Sequence, residues 1–271
     1  MDTRFWGPSG WKLLHLIAAS PVEDPTALTA WFDLLPYVLP CKYCRASLQE
    51  YFEEYPLRSD TMADPTKFSR WMYDLHNLVN EKLRGQGLLK TTNPTWNSVH
   101  NYYKELSKTL CDEGIIGWDF FASIAYTTPT KGIASLPSPI PANFHVTTLA
   151  DKNRYNLLSA KERIAALKKW WALIPSILPC PNWRNAWSHA LCDPPPLTKG
   201  RGPVSCWLWA LEESACSSLK CPTVHKSLPN MKHELSAFES ACGAAKKRKT
   251  CRTRRASLRR AVMTRRRQKT M

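Results

Sequence analysis

Apolar residues recur at helical spacing through Phe68, Trp71, Met72, Leu75, Leu78, Val79 and Leu83, and polar residues fill the positions between them. Steps of three and four residues keep that stripe on one helix face. Asp64 stands where an N-cap belongs, and Pro65 suits the first helical position, which needs no backbone N–H. The spacing therefore predicts a helix from Pro65 past Leu83. A second helix is expected over Arg45–Glu53, since Pro40 ends the element before it, so Cys41 and Cys44 should lie in its first turn. Trp11 with His15, and His76 with Asn80, are four residues apart, so each pair shares a helix face.

The same pattern of apolar and polar positions returns later in the chain. Gly117-Trp118-Asp119-Phe120-Phe121-Ala122-Ser123-Ile124-Ala125-Tyr126 parallels Gly10-Trp11-Lys12-Leu13-Leu14-His15-Leu16-Ile17-Ala18-Ala19. Trp170-Trp171-Ala172-Leu173-Ile174-Pro175-Ser176-Ile177-Leu178-Pro179-Cys180 parallels Trp31-Phe32-Asp33-Leu34-Leu35-Pro36-Tyr37-Val38-Leu39-Pro40-Cys41. A third block, Trp207-Leu208-Trp209-Ala210-Leu211, parallels Trp71-Met72-Tyr73-Asp74-Leu75. The offsets are 107 (117 − 10), 139 (170 − 31) and 136 (207 − 71), so an insertion of 32 residues (139 − 107) falls across Thr127–Pro141. Collinear blocks at similar offsets argue for a duplication.

Composition alters this picture in two places. No apolar run reaches roughly the 18 residues of a membrane span, and Met1-Asp2-Thr3-Arg4-Phe5-Trp6 lacks a signal-peptide pattern, so a soluble intracellular protein is expected. The net charge of +16 is concentrated at one end, because residues 246–271 hold 13 Lys or Arg and no Asp or Glu. Such a tail is expected to be disordered and to attract nucleic acid or another polyanion, or to direct nuclear import.

Candidate chemistry centres on Cys41-Lys42-Tyr43-Cys44. A helix N-terminus carries positive dipole, which together with Lys42 and Arg45 favours thiolates, the form that attacks disulfides and donates charge. A C-x-x-C also serves as half of a zinc site, but no second C-x-x-C and no H-x-x-x-H follows, so no metal site is expected. His76, Asn77, Asn80 and Lys82 beside an apolar stripe require polar partners, which a bound dinucleotide would supply. There is no Gly-rich phosphate loop, so a Rossmann route to that dinucleotide is not indicated.

A W-x-x-x-H helix, then P-C-x-x-C, then Trp71-Met72-x-x-Leu75-His76-Asn77-x-Val79-Asn80-x-Lys82-Leu83 resembles the FAD-dependent sulfhydryl oxidases of the Erv/ALR family. The resemblance covers roughly residues 3–108 and includes versions from large DNA viruses. It implies a helical bundle, a thiol oxidase and FAD held by residues matching Trp11, His15, Cys44, His76, Asn77, Val79, Asn80 and Lys82. It further implies catalysis by Cys41, which meets the incoming dithiol, and Cys44, which lies nearest the flavin ring. The implied partners are a dithiol protein substrate or thioredoxin-like relay protein, and oxygen. At the positions of the later repeat, Cys44 becomes Trp183, His15 becomes Ala122, His76 becomes Glu212 and Asn80 becomes Cys216. Packing residues persist while the chemistry is lost, as in quiescin sulfhydryl oxidases, which join an active to an inactive copy.

These readings give an all-α protein: an Erv-like bundle at 1–108, a degenerate Erv-like bundle at 112–240 with its insertion at about 127–160, and a basic tail at 241–271. A monomeric pseudo-dimer or a homodimer is expected, in the host cytoplasm or a virion if the source is viral, or in the nucleus through the tail. Second cysteine pairs for electron relay are Cys216 with Cys221 and Cys242 with Cys251, and Cys180 with Cys192 is a candidate staple. The competing class is a non-enzymatic helical binding protein whose tail engages nucleic acid.

Overall fold

The computed structural model describes residues 1–130, 137–190 and 193–239. In them the chain forms α1 (Thr3–Ala19), α2 (Pro25–Val38), α3 (Lys42–Glu54), α4 (Ser59–Met62), α5 (Pro65–Gly85) and α6 (Trp96–Thr109). Next come α7 (Trp118–Tyr126), α8 (Leu149–Arg154), α9 (Ala160–Ile177), α10 (Pro181–Ala190), α11 (Arg201–Leu219) and α12 (Leu228–Ala237). Two short 3-10 turns complete the structure, which has no strand among the described residues, as the helical periodicity requires. Local chemistry fixes many of the starts. The Asp24 carboxylate accepts from the Ala27 N–H ahead of α2, and Asp64 accepts from Thr66 and Lys67 ahead of α5, each with proline opening the helix. Reciprocal capping boxes open α8 (Thr148 with Asp151) and α9 (Ser159 with Glu162).

Within the first half, α1 packs on α5 and α6, and α2 on α3. The second half repeats these pairings, α7 on α11 and α12, and α9 on α10. The halves meet through like-placed helices, α1 on α7 and α2 on α9, over one continuous core. Trp31 stacks on Trp170 at 5.2 Å between ring centroids, and both are fully buried. A Cβ on Gly10 would lie 3.0 Å from the Phe120 ring, and one on Gly117 would lie 2.9 Å from Leu13. Both glycines therefore mark a close approach of α1 and α7, and Gly117 also has a left-handed φ of 112°. Arg45 Nη1 donates to the Leu39 carbonyl at 2.9 Å, and Arg184 Nη1 donates to the Leu178 carbonyl at 2.8 Å.

The expected Cys180–Cys192 staple is corrected: Cys180 is bridged to Cys111, with Cα atoms 5.4 Å apart. Cys111 follows α6, and packing α10 beneath the 110–113 turn brings Cys180 to it rather than to a neighbour along the chain. The bridge closes a loop with a sequence separation of 69, worth on the order of 4 kcal/mol through the unfolded state. Cys192, Cys242, Cys251 and the tail 241–271 lie outside the described residues, as does 131–136 of the insertion. No helix among the described residues is long and apolar enough to cross a membrane.

Candidate active site

Cys41 is the N-cap residue of α3 and is 6% exposed, while Cys44 is half-buried one turn on. The Cys41 carbonyl accepts from the Cys44 and Arg45 N–H groups at 3.1 and 3.0 Å, so both cysteines sit at the positive end of the helix dipole, as the sequence predicts. The face of α3 that carries Cys44 continues through Ser47 and Tyr51 at helical spacing. That face is turned to α5, since Lys82 Nζ donates to the Ser47 hydroxyl and Tyr51 Oη to the Leu78 carbonyl at 3.5 Å.

On the neighbouring helices the predicted aromatic and imidazole groups come together. Trp11 of α1 stacks on His76 of α5 at 3.9 Å with rings 9° from parallel. His15 Nε2 lies 3.0 Å from His76 Nδ1, so one ring donates and the other accepts. Burial holds His15 down to about 3, helped by the neighbouring His76, and burial holds His76 down to about 4, so both are neutral at neutral pH. The other side of His15 is covered by Tyr103 of α6, stacked at 4.7 Å, whose phenol is pushed up to about 12 by burial. Asn77, Val79 and Asn80 are half-buried on α5. Asn80 donates to the Asn93 side-chain oxygen at 3.1 Å, and Arg84 donates to the same atom at 2.8 Å. The wall continues with Trp96 stacked on His100 at 4.8 Å and Arg70 over the Trp96 ring at 5.3 Å.

Ser47, Asn93, Trp96, His100 and Tyr103 had no signal in the sequence reading. Their proximity to the predicted residues arises from the return of the 86–95 segment and α6 across α5, which no periodicity encodes; only the aromatic run Trp96–Tyr103 hints at it. The set fits the expected FAD. Flat stacked rings, neutral imidazoles, side-chain amides and the Lys82 ammonium are the groups a flat heteroaromatic dinucleotide requires, and His100 Nδ1 is a buried polar atom without a partner.

In the second half, the residues that the sequence alignment sets against Cys44, His76 and Asn80 are bonded within the protein itself. Trp183 is fully buried and donates to the Glu113 carbonyl at 2.8 Å. Glu212 is fully buried and accepts from the Val224 and His225 N–H groups at 2.7 and 3.1 Å and from His225 Nδ1 at 2.7 Å. Cys216 is buried and hydrogen-bonded to Cys221, and burial together with that contact pushes its thiol well up. The pair borders a cavity of about 450 Å³ also lined by Lys12, Trp118 and Val224. No group of three or more His, Cys, Asp or Glu among the described residues is placed to hold a metal.

Fold and site together define a class: a helical protein with a C-x-x-C pair at a helix N-terminus, on a helix bonded to another that carries stacked aromatic, imidazole and amide side chains. Residues 8–103 match the Erv1 / Alr family. Over 98 residues the chain is 31% identical to the putative FAD-linked sulfhydryl oxidase 347L of Invertebrate iridescent virus 6, covering 33% of this chain and 87% of that protein. It is 32% identical over 85 residues to the probable FAD-linked sulfhydryl oxidase R368 of Acanthamoeba polyphaga mimivirus (30% of this chain, 59% of that one). It is 31% identical over 88 residues to the mitochondrial FAD-linked sulfhydryl oxidase ERV1 of Saccharomyces cerevisiae (31% and 45%). The chain thus belongs to the Erv1 / Alr family. It spans about half the length of the mimivirus and yeast relatives. No solved structure matches it significantly.

Proposed function

We propose that the protein is an FAD-dependent thiol oxidase that introduces disulfides into dithiol substrates. The observation that carries this reading is the placement of Cys41 and Cys44 at the start of α3, whose Cys44 face is tied to α5 beside the Trp11–His76–His15 stack. A substrate thiolate attacks the Cys41–Cys44 disulfide at Cys41, a mixed disulfide forms, and the second substrate thiol displaces it; the substrate leaves oxidised and the two cysteines are left reduced. Because Cys41 is buried, this exchange needs local opening at the corner between α2 and α3. Cys44, as a thiolate at the helix N-terminus, passes the electron pair on. When bound, FAD accepts that pair and delivers it to oxygen, giving hydrogen peroxide. Trp11, His15, His76, Asn77, Val79, Asn80 and Lys82 hold and orient it. The buried neutral imidazoles of His15 and His76 would offer it proton donors and acceptors without adding charge. Cys44→Ser should abolish steady-state dithiol oxidation, read as oxygen uptake, while the protein stays yellow; retained turnover in that variant would sink the assignment.

Residues 112–240 are read as a degenerate copy that serves as a built-in dimer partner. Several reciprocal contacts support this. Trp31 lies on its own counterpart Trp170, Gly10 approaches Phe120 as Gly117 approaches Leu13, and Arg45 and Arg184 cap equivalent carbonyls. Such reciprocity is the mark of a two-fold interface. One cofactor per chain follows, since Trp183, Glu212 and His225 fill the second copy's equivalent region. The charge of residues 246–271 favours polyanion binding by the tail, and its deletion should remove salt-sensitive affinity for DNA of any sequence.

A further inference from the structure

Two equivalent arginines, Arg45 and Arg184, cap the ends of α2 and α9. Arg184, one residue after Trp183, caps the Leu178 carbonyl and forms an ion pair with Glu23 of the first half at 2.5 Å. Arg45, one residue after Cys44, caps the Leu39 carbonyl in the same way, and the second half places a further guanidinium, Arg163 in the first turn of α9, at the same corner through the Tyr37 carbonyl. Arg163 is 2% exposed. Its Nε donates to the Tyr37 carbonyl at 3.2 Å and its Nη1 to the Thr127 carbonyl at 3.4 Å, while Nη2 has no partner. Its neighbour Glu162 is turned away to Ser159 and Lys152, so among the described residues Arg163 meets backbone oxygens and no carboxylate.

An arginine stays protonated even when buried, so this arrangement is a fixed positive charge in a poorly hydrated place, where charge acts over longer range than in water. Tyr37, the carbonyl partner of Arg163, and Leu39, that of Arg45, stand four and two residues before Cys41. Tyr37 and Cys41 are therefore within roughly 14 Å of each other along the chain, and Leu39 and Cys41 within roughly 7 Å. A cation buried against this corner without an acid is unfavourable for folding alone. It becomes useful where a negative charge must form.

We propose that Arg163 is a positioning residue for the dithiol: from the second half of the chain it places a buried positive charge behind the first turn of α3 and thereby stabilises the thiolates of Cys41 and Cys44. The second half then contributes to the chemistry as well as to packing. The inference rests on the oxidase reading for its purpose, but it concerns thiol acidity and is tested by it. The pH dependence of iodoacetamide alkylation is measured on the reduced full-length protein, with labelling at Cys41 and Cys44 resolved by peptide mass mapping. Arg163→Gln keeps a donor for Tyr37 but removes the charge; it should raise the alkylation midpoint by about one pH unit and slow labelling roughly tenfold below that midpoint. Arg163→Lys should restore most of the wild-type profile, and Glu23→Gln, which touches the other arginine, should leave it unchanged. Identical profiles for wild type and Arg163→Gln would overturn the proposal. So would an Arg163→Lys variant that behaves like Arg163→Gln, or a Gln variant that fails to fold while a folded Lys variant lacks the wild-type profile. A wild-type protein that is colourless and inactive would refute the oxidase reading instead, without moving this comparison.

Discussion

At the scale of single residues, buried imidazoles in the two halves respond to pH in opposite senses. Burial works against the charge on His225, yet the Asp119 carboxylate 3.4 Å from Nε2 and the hydrogen bond from Nδ1 to Glu212 outweigh that and hold its pKa at about 9. Its folded value is raised above the unfolded one near 6.5, so its stabilisation is complete below about pH 6.5 and is lost as pH rises through 9. His15 and His76 are depressed to about 3 and about 4, so the unfolded chain takes up protons that the folded one refuses, and stability falls as pH drops below about 6.5. Melting temperature against pH should therefore decline on both sides of neutrality. His225→Gln should cost stability at pH 6.5 and progressively less by pH 10; a constant difference across that range would contradict the assignment. Cys41, Cys44, Trp11, His15 and His76 were legible in the sequence because spacing within single helices carries them. Ser47, Asn93 and Tyr103 were not, since each reaches the site from another element.

At the scale of elements, α2 and α9 form the seam between the halves, with Trp31 and Trp170 stacked and fully buried at its centre. Trp170 also touches Phe120, Phe121 and Trp171, so its neighbours cannot collapse into the space left by truncation. Trp170→Ala should cost about 3–5 kcal/mol in denaturant unfolding. A loss below about 1 kcal/mol would mean that the seam is not a unit of the core. The starts of α3 and α5 were legible because Pro40, Asp64 and Pro65 are strong local signals. The pairing of Cys111 with Cys180 was not, because bridge connectivity depends on how distant helices pack.

At the scale of the whole molecule, the collinear blocks led to the proposal of two related halves, whereas the contacts of α1 with α7 and of α2 with α9 came from packing alone. The first half carries Cys41, Cys44 and the Trp11–His76–His15 stack; on the proposed reading the second half is a degenerate copy in which Trp183, Glu212 and His225 are buried and hydrogen-bonded within the protein. Family membership and the site geometry support the proposal that the dithiol reduces a bound flavin. Anaerobic titration of the purified full-length protein with dithiothreitol, following visible flavin absorbance in wild type and Cys44→Ser, tests that claim most directly. About one flavin per chain is expected on the reading that only the first half keeps the site. Bleaching should be rapid in wild type and absent on the same timescale in Cys44→Ser. A protein without flavin, or equal bleaching of the two proteins, would contradict the account.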